Sequence, residues 1–347
     1  MGIEIDKNGV MIGMRNISKN LQKIRFHGFI CFLVFSVCLM AKAQSQVADY
    51  PNRPIKIIIP QAAGGGTDLL GRKVSQKLGE LLKQPTVVEN KTGAGSLIGT
   101  EIAANAAPDG YTLMVGGLFN MVMNKALIKD LNYDPEKSFI PLGYVSAYSF
   151  LLLAKPDLPV NTFAEFVKYA KERPNQLNFA SAGIGTLQHV WGTILFNSLG
   201  LNMTHVPFKG AAQGYQEMLG GRIDVMFDNM SASKQYVQNN KLKGLALSSL
   251  ERSPHLPQVP TVNETGIVKF SGESWFALFA PANTPMPIVA KLRSALEQIN
   301  KDPEFVAQVE KDGGRMLNIA SQDQQQYLKE EINKWVALVN KNNIKAE

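Results

Sequence analysis

Two stretches of this sequence combine a short apolar run, a glycine-rich turn and a helix-like pattern. In the first, residues 55–60 precede the turn at 61–68, and in the second, residues 177–181 precede the turn at 182–186. The start of a helix leaves backbone N–H groups without partners and carries a partial positive charge, so each turn suits a negatively charged group. Together they favour a site that binds a small carboxylate.

The candidate binding residues lie in these turns and at three positions near them. His189 follows the second turn, Asp228 ends a later apolar run, and Trp275 stands beside a glycine-containing segment. Each also has a structural alternative: a cap or packing role for His189, a tie across the hinge for Asp228, and hinge packing for Trp275. The predicted ligand-binding residues are Ala63, Gly65, Gly66, Thr67, Asp68, Ser181, Gly185, Thr186, His189, Asp228 and Trp275.

Other chemistry finds little support in the sequence. The first glycine turn is not a P-loop, because no Gly-Lys-Ser/Thr follows it. The turn at 93–99 resembles a nucleotide-binding turn, but the next strand ends without the acid that holds a ribose, so a structural turn is favoured. No Gly-x-Ser-x-Gly elbow occurs, and His27, His205 and His255 lack metal-ligand spacing. We therefore expect no catalytic residue, no metal and no cofactor.

The first 43 residues are typical of a secretory signal peptide. Basic residues precede an apolar run at 29–40, and Ala41-Lys42-Ala43 is a cleavage signal. The apolar run is short for a membrane span. A lipoprotein anchored at Cys38 is the alternative, but the residues before that cysteine form a poor lipobox. We predict a periplasmic protein cleaved after Ala43, with translation starting at Met1, Met11 or Met14.

Cleavage changes both the charge and the cysteine content. The leader holds six of the basic residues and two of the acids, so the net charge falls from +7 to +3. A nucleic-acid partner therefore loses support. Both cysteines, Cys31 and Cys38, leave with the leader. The mature chain is then expected to lack disulfides and thiol chemistry.

Strand and helix patterns alternate from residue 54 onward, which predicts an α/β fold with mainly parallel sheets. The strands include 142–145 and 150–154 as separate elements, and capping boxes are expected at Thr162 and Ser321. We expect a type II-like periplasmic binding protein fold with two lobes around a cleft. The predicted division is 1–43 signal peptide, 44–145 first lobe, 146–271 second lobe and 272–347 return to the first lobe.

Motifs in order along nearly all of the mature chain resemble the tripartite tricarboxylate transporter substrate-binding family, the Bug-type extracytoplasmic solute receptors. The resemblance rests on residues 50–55, 60–72, 88–95, 108–113, 181–189, 206–210, 220–228 and 275–282. Two segments depart from the usual pattern: Gln61-Ala62-Ala63 before the glycines, and residues 190–193 after the second turn. These departures favour a different specificity, so no particular substrate is carried over.

The resemblance implies a periplasmic receptor that closes on a carboxylate and delivers it to a membrane permease of one large and one small subunit. In this family, main-chain amides and ordered water from the two glycine turns typically hold the ligand. We expect a monomer that closes around residues 145–146 and 272–275. The alternatives are an exported hydrolase or lyase using His189 with Asp228, and a ligand sensor for a signalling kinase. The identity of the acid stays open.

Overall fold

The computed structural model describes residues 49–345 except 62, 64 and 65. The signal peptide expected at 1–43 therefore lies outside the described residues. The chain divides into two compact units, Met1–Asn52 and Arg53–Glu347, and the account below concerns the second. Among the described residues, no helix combines the length and apolar character needed to cross a membrane.

The described elements follow the alternating order that the sequence predicts. The first group comprises β1 (Ile55–Ile59), α1 (Gly66–Leu82), β2 (Thr86–Asn90), α2 (Leu97–Ala104), β3 (Thr112–Gly117), a π-helix (Phe119–Met123) and α3 (Asn124–Leu127). The second comprises β4 (Phe139–Ala154), α4 (Phe163–Lys171), β5 (Asn178–Ser181), α5 (Leu187–Ser198), β6 (Thr204–Pro207), α6 (Ala211–Leu219), β7 (Val225–Asn229), α7 (Met230–Gln238) and β8 (Lys243–Leu247). The third comprises β9 (Glu273–Pro281), α8 (Met286–Lys301), α9 (Pro303–Lys311), β10 (Arg315–Met316) and α10 (Gln324–Lys341).

The strands form one sheet with the order β2-β1-β3-β9-β4-β7-β5-β6, while β8 and β10 also pair with β4. The parallel pairs lie on the two sides, where β1 joins β2 and β3, and β5 joins β6 and β7. Every antiparallel pair involves β4 or β9. Two parallel sets are thus linked by two antiparallel strands.

Strand β4 is one continuous element, although two strands were expected at 142–145 and 150–154. Residues 139–149 pair with β9, and residues 150–154 pair with β7 and β8. The segment between the expected strands is held on both sides, since Ala147 pairs with Trp275 and with Arg315. Because those partners are distant in sequence, local composition could not reveal the continuity. The lobe boundaries at 145 and 271 stay predictions.

The carboxy-terminal helix α10 packs its apolar stripe against the core. Leu328, Ile332, Trp335 and Val339 are buried, at the spacing of one helix face. The Trp335 ring stacks on Trp191 of α5 with 5.0 Å between ring centroids. Burying an apolar side chain of this kind contributes about 1.5–3 kcal/mol. The packing therefore joins the end of the chain to the helix that follows the second glycine turn.

One of the two predicted capping boxes is confirmed. The Thr162 side chain accepts from the Glu165 N–H, and the Glu165 carboxylate accepts from the Thr162 N–H. The box at Ser321 is wrong, because α10 begins after Asp323 and the Ser321 hydroxyl donates to Glu297 instead.

Candidate functional site

A cavity of about 290 Å³ lies at the carboxyl ends of β1, β3, β5 and β7, where helices begin. We call it the central cavity. Its lining residues are Gln61, Thr67, Ser96, Gly117, Leu118, Phe119, Phe150, Thr186, Leu187, Gln188, Asp228, Asn229, Ser274 and Phe276. They come from both parallel sets of strands and from both linking strands. A larger hollow of about 630 Å³ is lined by α1, β2 and their connection alone.

Backbone donors, rather than cationic side chains, supply the positive character of the central cavity. Within the described residues, the lining includes no Lys, Arg or His. Leu187 and Gln188 occupy the first two positions of α5, and their N–H groups have no acceptor among the described residues. Unpaired amides at a helix start, reinforced by the helix dipole, stabilise an anion. This end of the cavity therefore suits one carboxylate.

The rest of the lining is largely apolar. Phe119 follows β3, Phe150 belongs to β4, and Phe276 belongs to β9. Leu118 and Leu187 add aliphatic surface. Aromatic walls with a few placed polar groups are typical of sites for small organic ligands. The arrangement favours an acid with an apolar body.

Thr67 and Thr186, two of the residues that the sequence predicts to bind ligand, both line the cavity. Their hydroxyls, however, donate within their own turns. Thr186 Oγ1 donates to the Gly183 carbonyl oxygen at 2.7 Å, and Thr67 Oγ1 donates to the Gln61 side-chain oxygen. Thr186 also caps α5 by accepting from the His189 N–H. The hydroxyls thus order the turns that present the amides.

Ser181 is the last residue of β5, directly before the second turn, and it is outside the cavity lining. Its buried hydroxyl donates to the Gly183 carbonyl oxygen at 3.0 Å and accepts from the Gly183 N–H at 3.1 Å. His205 Nε2 lies 2.7 Å from the same hydroxyl, so with its proton on Nε2 it donates to Ser181. Gly183 has a φ of +134°, a conformation that favours glycine. Ser181 therefore shapes the turn.

Gly185 and His189 are paired with each other. The Gly185 N–H donates to His189 Nδ1 at 3.1 Å, which removes that amide from the set available to a ligand. The His189 ring stacks on His205 with 4.1 Å between centroids. Burial lowers the pKa of His189. Burial, and then the nearby His189, lower the pKa of His205 to about 4, so two neutral rings support the turn.

In the first turn, Asp68 joins elements of the fold and does not line the central cavity. Helix α1 begins at Gly66, so Thr67 and Asp68 lie inside the helix rather than at its cap. The buried Asp68 carboxylate accepts from Arg72 Nε at 3.0 Å and from Asn90 Nδ2 at 2.9 Å, which ties α1 to β2. Ala63 and Gly66 are exposed and outside the lining of the central cavity, and Gly65 lies outside the described residues.

Asp228 lines the cavity with a carboxylate that is already engaged. It accepts from the Tyr215 hydroxyl at 2.6 Å, from Gln188 Nε2 at 2.9 Å and from the Asn229 N–H at 2.6 Å. Burial raises the pKa of the Asp228 carboxyl, and these three donors oppose the rise. The carboxylate fixes the side chain of Gln188 at the start of α5.

Trp275 lies in the core, away from the central cavity, which corrects its predicted place. Its Nε1 donates to Glu331 at 3.1 Å, and its ring packs edge-on against Tyr144. Adjacent side chains on a strand point to opposite faces, so Ser274 and Phe276 face the cavity instead. The sequence identified the segment but the wrong side of the strand.

A third turn, after β3, also lines the cavity and is absent from the predicted binding residues. Gly117, Leu118 and Phe119 line the cavity, and Asn120 Oδ1 accepts from the Gly117 N–H at 2.9 Å. The signal available in the sequence was the position of Gly116-Gly117 at the end of a strand parallel to β1. The other lining residues that are absent from the list of predicted ligand-binding residues are Gln61, Ser96, Phe150, Leu187, Gln188, Asn229, Ser274 and Phe276.

His189 and Asp228 do not pair as the hydrolase alternative requires. His189 Nδ1 accepts from Gly185, and both Asp228 oxygens accept from the donors given above. That alternative also requires a nucleophile or an activated water within reach of His189. The hydroxyl beside the other imidazole, Ser181 next to His205, is buried and outside the lining of the central cavity. In the described part of the chain, no group of three or more His, Cys, Asp or Glu residues is placed to hold a metal ion.

Comparison with known proteins gives concordant matches. The profile of the "Tripartite tricarboxylate transporter family receptor" family, TctC, matches residues 70–344. Protein BugT of Bordetella pertussis (strain Tohama I) is 30% identical over 292 residues, which cover 84% of this chain and 89% of that protein.

Solved structures agree with the sequence matches. MatC from Rhodopseudomonas palustris with bound malate aligns with a TM-score of 0.72 and 33% identity, covering 84% of this chain and 100% of that one. A second R. palustris protein, solved with adipate, aligns with a TM-score of 0.76 and 28% identity, covering 86% and 99%. These matches confirm the predicted fold class and the family resemblance. The chain belongs to the tripartite tricarboxylate transporter receptor family, whose members are periplasmic solute-binding receptors of the TctC and Bug type.

Proposed function

We propose that this protein binds a small organic acid in the central cavity, with one carboxylate at the start of α5. The unpaired N–H groups of Leu187 and Gln188, in a lining without cationic side chains, carry the proposal. Malate and adipate in the neighbouring structures support a carboxylate as the ligand class. The aromatic walls favour an acid with an apolar body over a highly charged one.

The first experiment identifies the acid. Native mass spectrometry of the purified protein should reveal a co-purifying carboxylate, and calorimetry then compares this acid with its primary amide. We expect the amide to bind at least about tenfold more weakly, because a hydrogen bond to a charged group is stronger than one to a neutral group. Equal binding of acid and amide would contradict the proposal. Recovery of the ligand unchanged separates a receptor from a hydrolase or lyase.

We further propose that the receptor is exported, cleaved after Ala43, and delivers its acid as a monomer to a two-subunit membrane permease. Family membership supports a transporter partner. Closure would bend the linking strands β4 and β9, since both cross between the parallel sets. Uptake of the labelled acid should disappear in cells that lack the receptor and return with the full chain. Normal uptake without it would favour the sensor alternative.

A further inference from the structure

The central cavity also carries neutral polar side chains, which come from the half of the sheet that contains β1, β2 and β3. Gln61 follows β1, Ser96 precedes α2, and Ser274 belongs to β9, which pairs with β3. The start of α5, where we place the ligand carboxylate, follows β5 in the other half. A ligand in the cavity can therefore meet polar groups from both halves.

The side-chain amide of Gln61 has a defined orientation. Its Oε1 accepts from the Thr67 hydroxyl, and its backbone carbonyl oxygen accepts from Asn90 Nδ2 at 3.0 Å. The Nε2 at the other end of the planar amide has no acceptor among the described residues and is not enclosed by them. This nitrogen carries two N–H donors. Gln61 therefore supplies neutral donors for an oxygen atom of the ligand.

Ser96 and Ser274 carry hydroxyls that make no hydrogen bond within the described part of the chain. The two residues are only 7% and 6% exposed, but neither hydroxyl oxygen is enclosed. Because both residues line the central cavity, the cavity is the space that these hydroxyls reach. Each hydroxyl can donate one hydrogen bond and can also accept.

The backbone at Ser96 supports a role toward the ligand. Ser96 occupies the cap position of α2 in a left-handed conformation, with a φ of +72°, and its side chain makes no capping hydrogen bond. A serine at this position usually bonds to the backbone of its own helix. Residues held in such strained conformations cluster at ligand sites.

The charge of the lining favours a neutral partner for these side chains. Among the described lining residues, only Asp228 is ionisable, and it adds negative charge to the cavity. A ligand hydroxyl accepts from Gln61 and donates to a serine without bringing further charge. An acid that lacks this oxygen leaves the buried donors unpaired, which costs binding free energy.

We propose that Gln61, together with Ser96 and Ser274, recognises a neutral oxygen of the ligand, so that the receptor prefers hydroxy acids to the same acids without the hydroxyl. Gln61 is the specificity-determining residue, because Thr67 orients its amide. This inference rests on the proposed function, since the carboxylate at the start of α5 places the rest of the ligand in the central cavity.

Calorimetry with matched acids tests this proposal. Propionate is compared with lactate, and butyrate and hexanoate with their straight-chain hydroxy derivatives, so that each comparison adds one hydroxyl. The wild-type protein should bind at least one hydroxy acid about tenfold more tightly than its parent acid. Gln61→Met should weaken that hydroxy acid about fivefold or more and should not weaken the parent, because only the hydroxyl loses a donor.

A second substitution separates the donor from the order of the first turn. Gln61→Glu keeps an acceptor for the Thr67 hydroxyl but replaces the donor with an anionic oxygen. The variant should shift the preference from the hydroxy acid toward the amino acid of the same carbon skeleton, because an ammonium group then finds an acceptor. The ratio of the two affinities is the measure, so a general effect of the added charge on carboxylate binding cancels.

Two further variants complete the test. Gln176→Met removes an exposed glutamine at the amino end of β5 and should change neither affinity. Ser274→Ala should also weaken the hydroxy acid selectively, which preserves the test if the Gln61 variants fail to fold.

Three results would overturn the inference. If no hydroxy acid binds more tightly than its parent, the inference is wrong, whereas the proposed function stands as long as a carboxylate binds. Equal weakening of hydroxy acid and parent by Gln61→Met would mean that Gln61 only orders the first turn through Thr67. An unchanged preference in the Gln61 and Ser274 variants would exclude these side chains from recognition. Failure of the wild-type protein to bind any carboxylate would reject both the inference and the proposed function.

Discussion

The two glycine turns look alike in sequence but are held in different ways. At the first, the buried Asp68 carboxylate joins Arg72 and Asn90. At the second, Ser181 and the stacked rings of His189 and His205 support the backbone. The first turn is held by an ion pair to a partly exposed arginine. The second is held by neutral side chains, of which the two imidazoles gain a proton only in acid. Turns that look alike in sequence can therefore respond to different conditions.

The largest expected effect of this difference is on stability at the first turn. Arg72→Met should lower the free energy of unfolding by about 1–3 kcal/mol, because it leaves a buried carboxylate with fewer partners. Lys56→Met is the matched control, because the Lys56 side chain is 46% exposed and the Arg72 side chain is 49% exposed. The two partners differ, since Glu89 is 30% exposed and Asp68 is 3% exposed. The control should cost less than about 1 kcal/mol. Urea unfolding measures both, and equal losses would contradict the assigned role of Asp68.

A smaller effect is expected on ligand binding from the turn hydroxyls. Thr67→Ala and Thr186→Ala should each weaken binding about tenfold or less, because one neutral hydrogen bond that orders the turn is lost. Thr186→Ser keeps the hydroxyl and should bind nearly as the wild type does. Calorimetry measures the affinities, and circular dichroism checks that the variants are folded. Unchanged dissociation constants in both alanine variants would contradict this role.

A third effect is a pH dependence to which the second turn contributes. His205 has its pKa lowered from 6.5 to about 4, so the unfolded chain binds more protons than the folded one between these values. Stability should therefore fall as the pH drops from about 6.5 to about 4. His205→Asn should reduce this slope, because the variant lacks the imidazole. Chemical unfolding across this range measures it, and an unaltered slope in His205→Asn would exclude the imidazole as its source.

The turns could be predicted because their signals are local. A strand, glycines and a helix start follow one another at residues 55–68 and 177–189, and both segments contribute to one cavity. Polar roles within the turns were harder to assign. Asp68 and Ser181 have the chemistry of ligand contacts, but partners distant in sequence, Asn90 and His205, engage them in the scaffold.

The cavity walls could not be predicted, because they depend on strand pairing over long distances. Phe150 and Phe276 lie within β4 and β9, where nothing local marks which face borders a cavity. Trp275 is an example, because its side chain lies in the core while its two neighbours along the strand border the cavity. The backbone donors at Leu187 and Gln188 leave no side-chain signature, and only the glycine turn before the predicted helix start indicates them.

The central claim is that the backbone N–H at the start of α5 holds the ligand carboxylate, and Leu187→Pro tests it directly. Proline is tolerated at the first position of a helix, and Thr186, at φ −67° and ψ 160°, has the backbone conformation that precedes proline. The variant removes one donor, while Leu187→Ala controls for the lost side chain. We predict that Leu187→Pro binds the acid about tenfold or more weakly than Leu187→Ala, measured by calorimetry. Equal dissociation constants in two folded variants would contradict the claim.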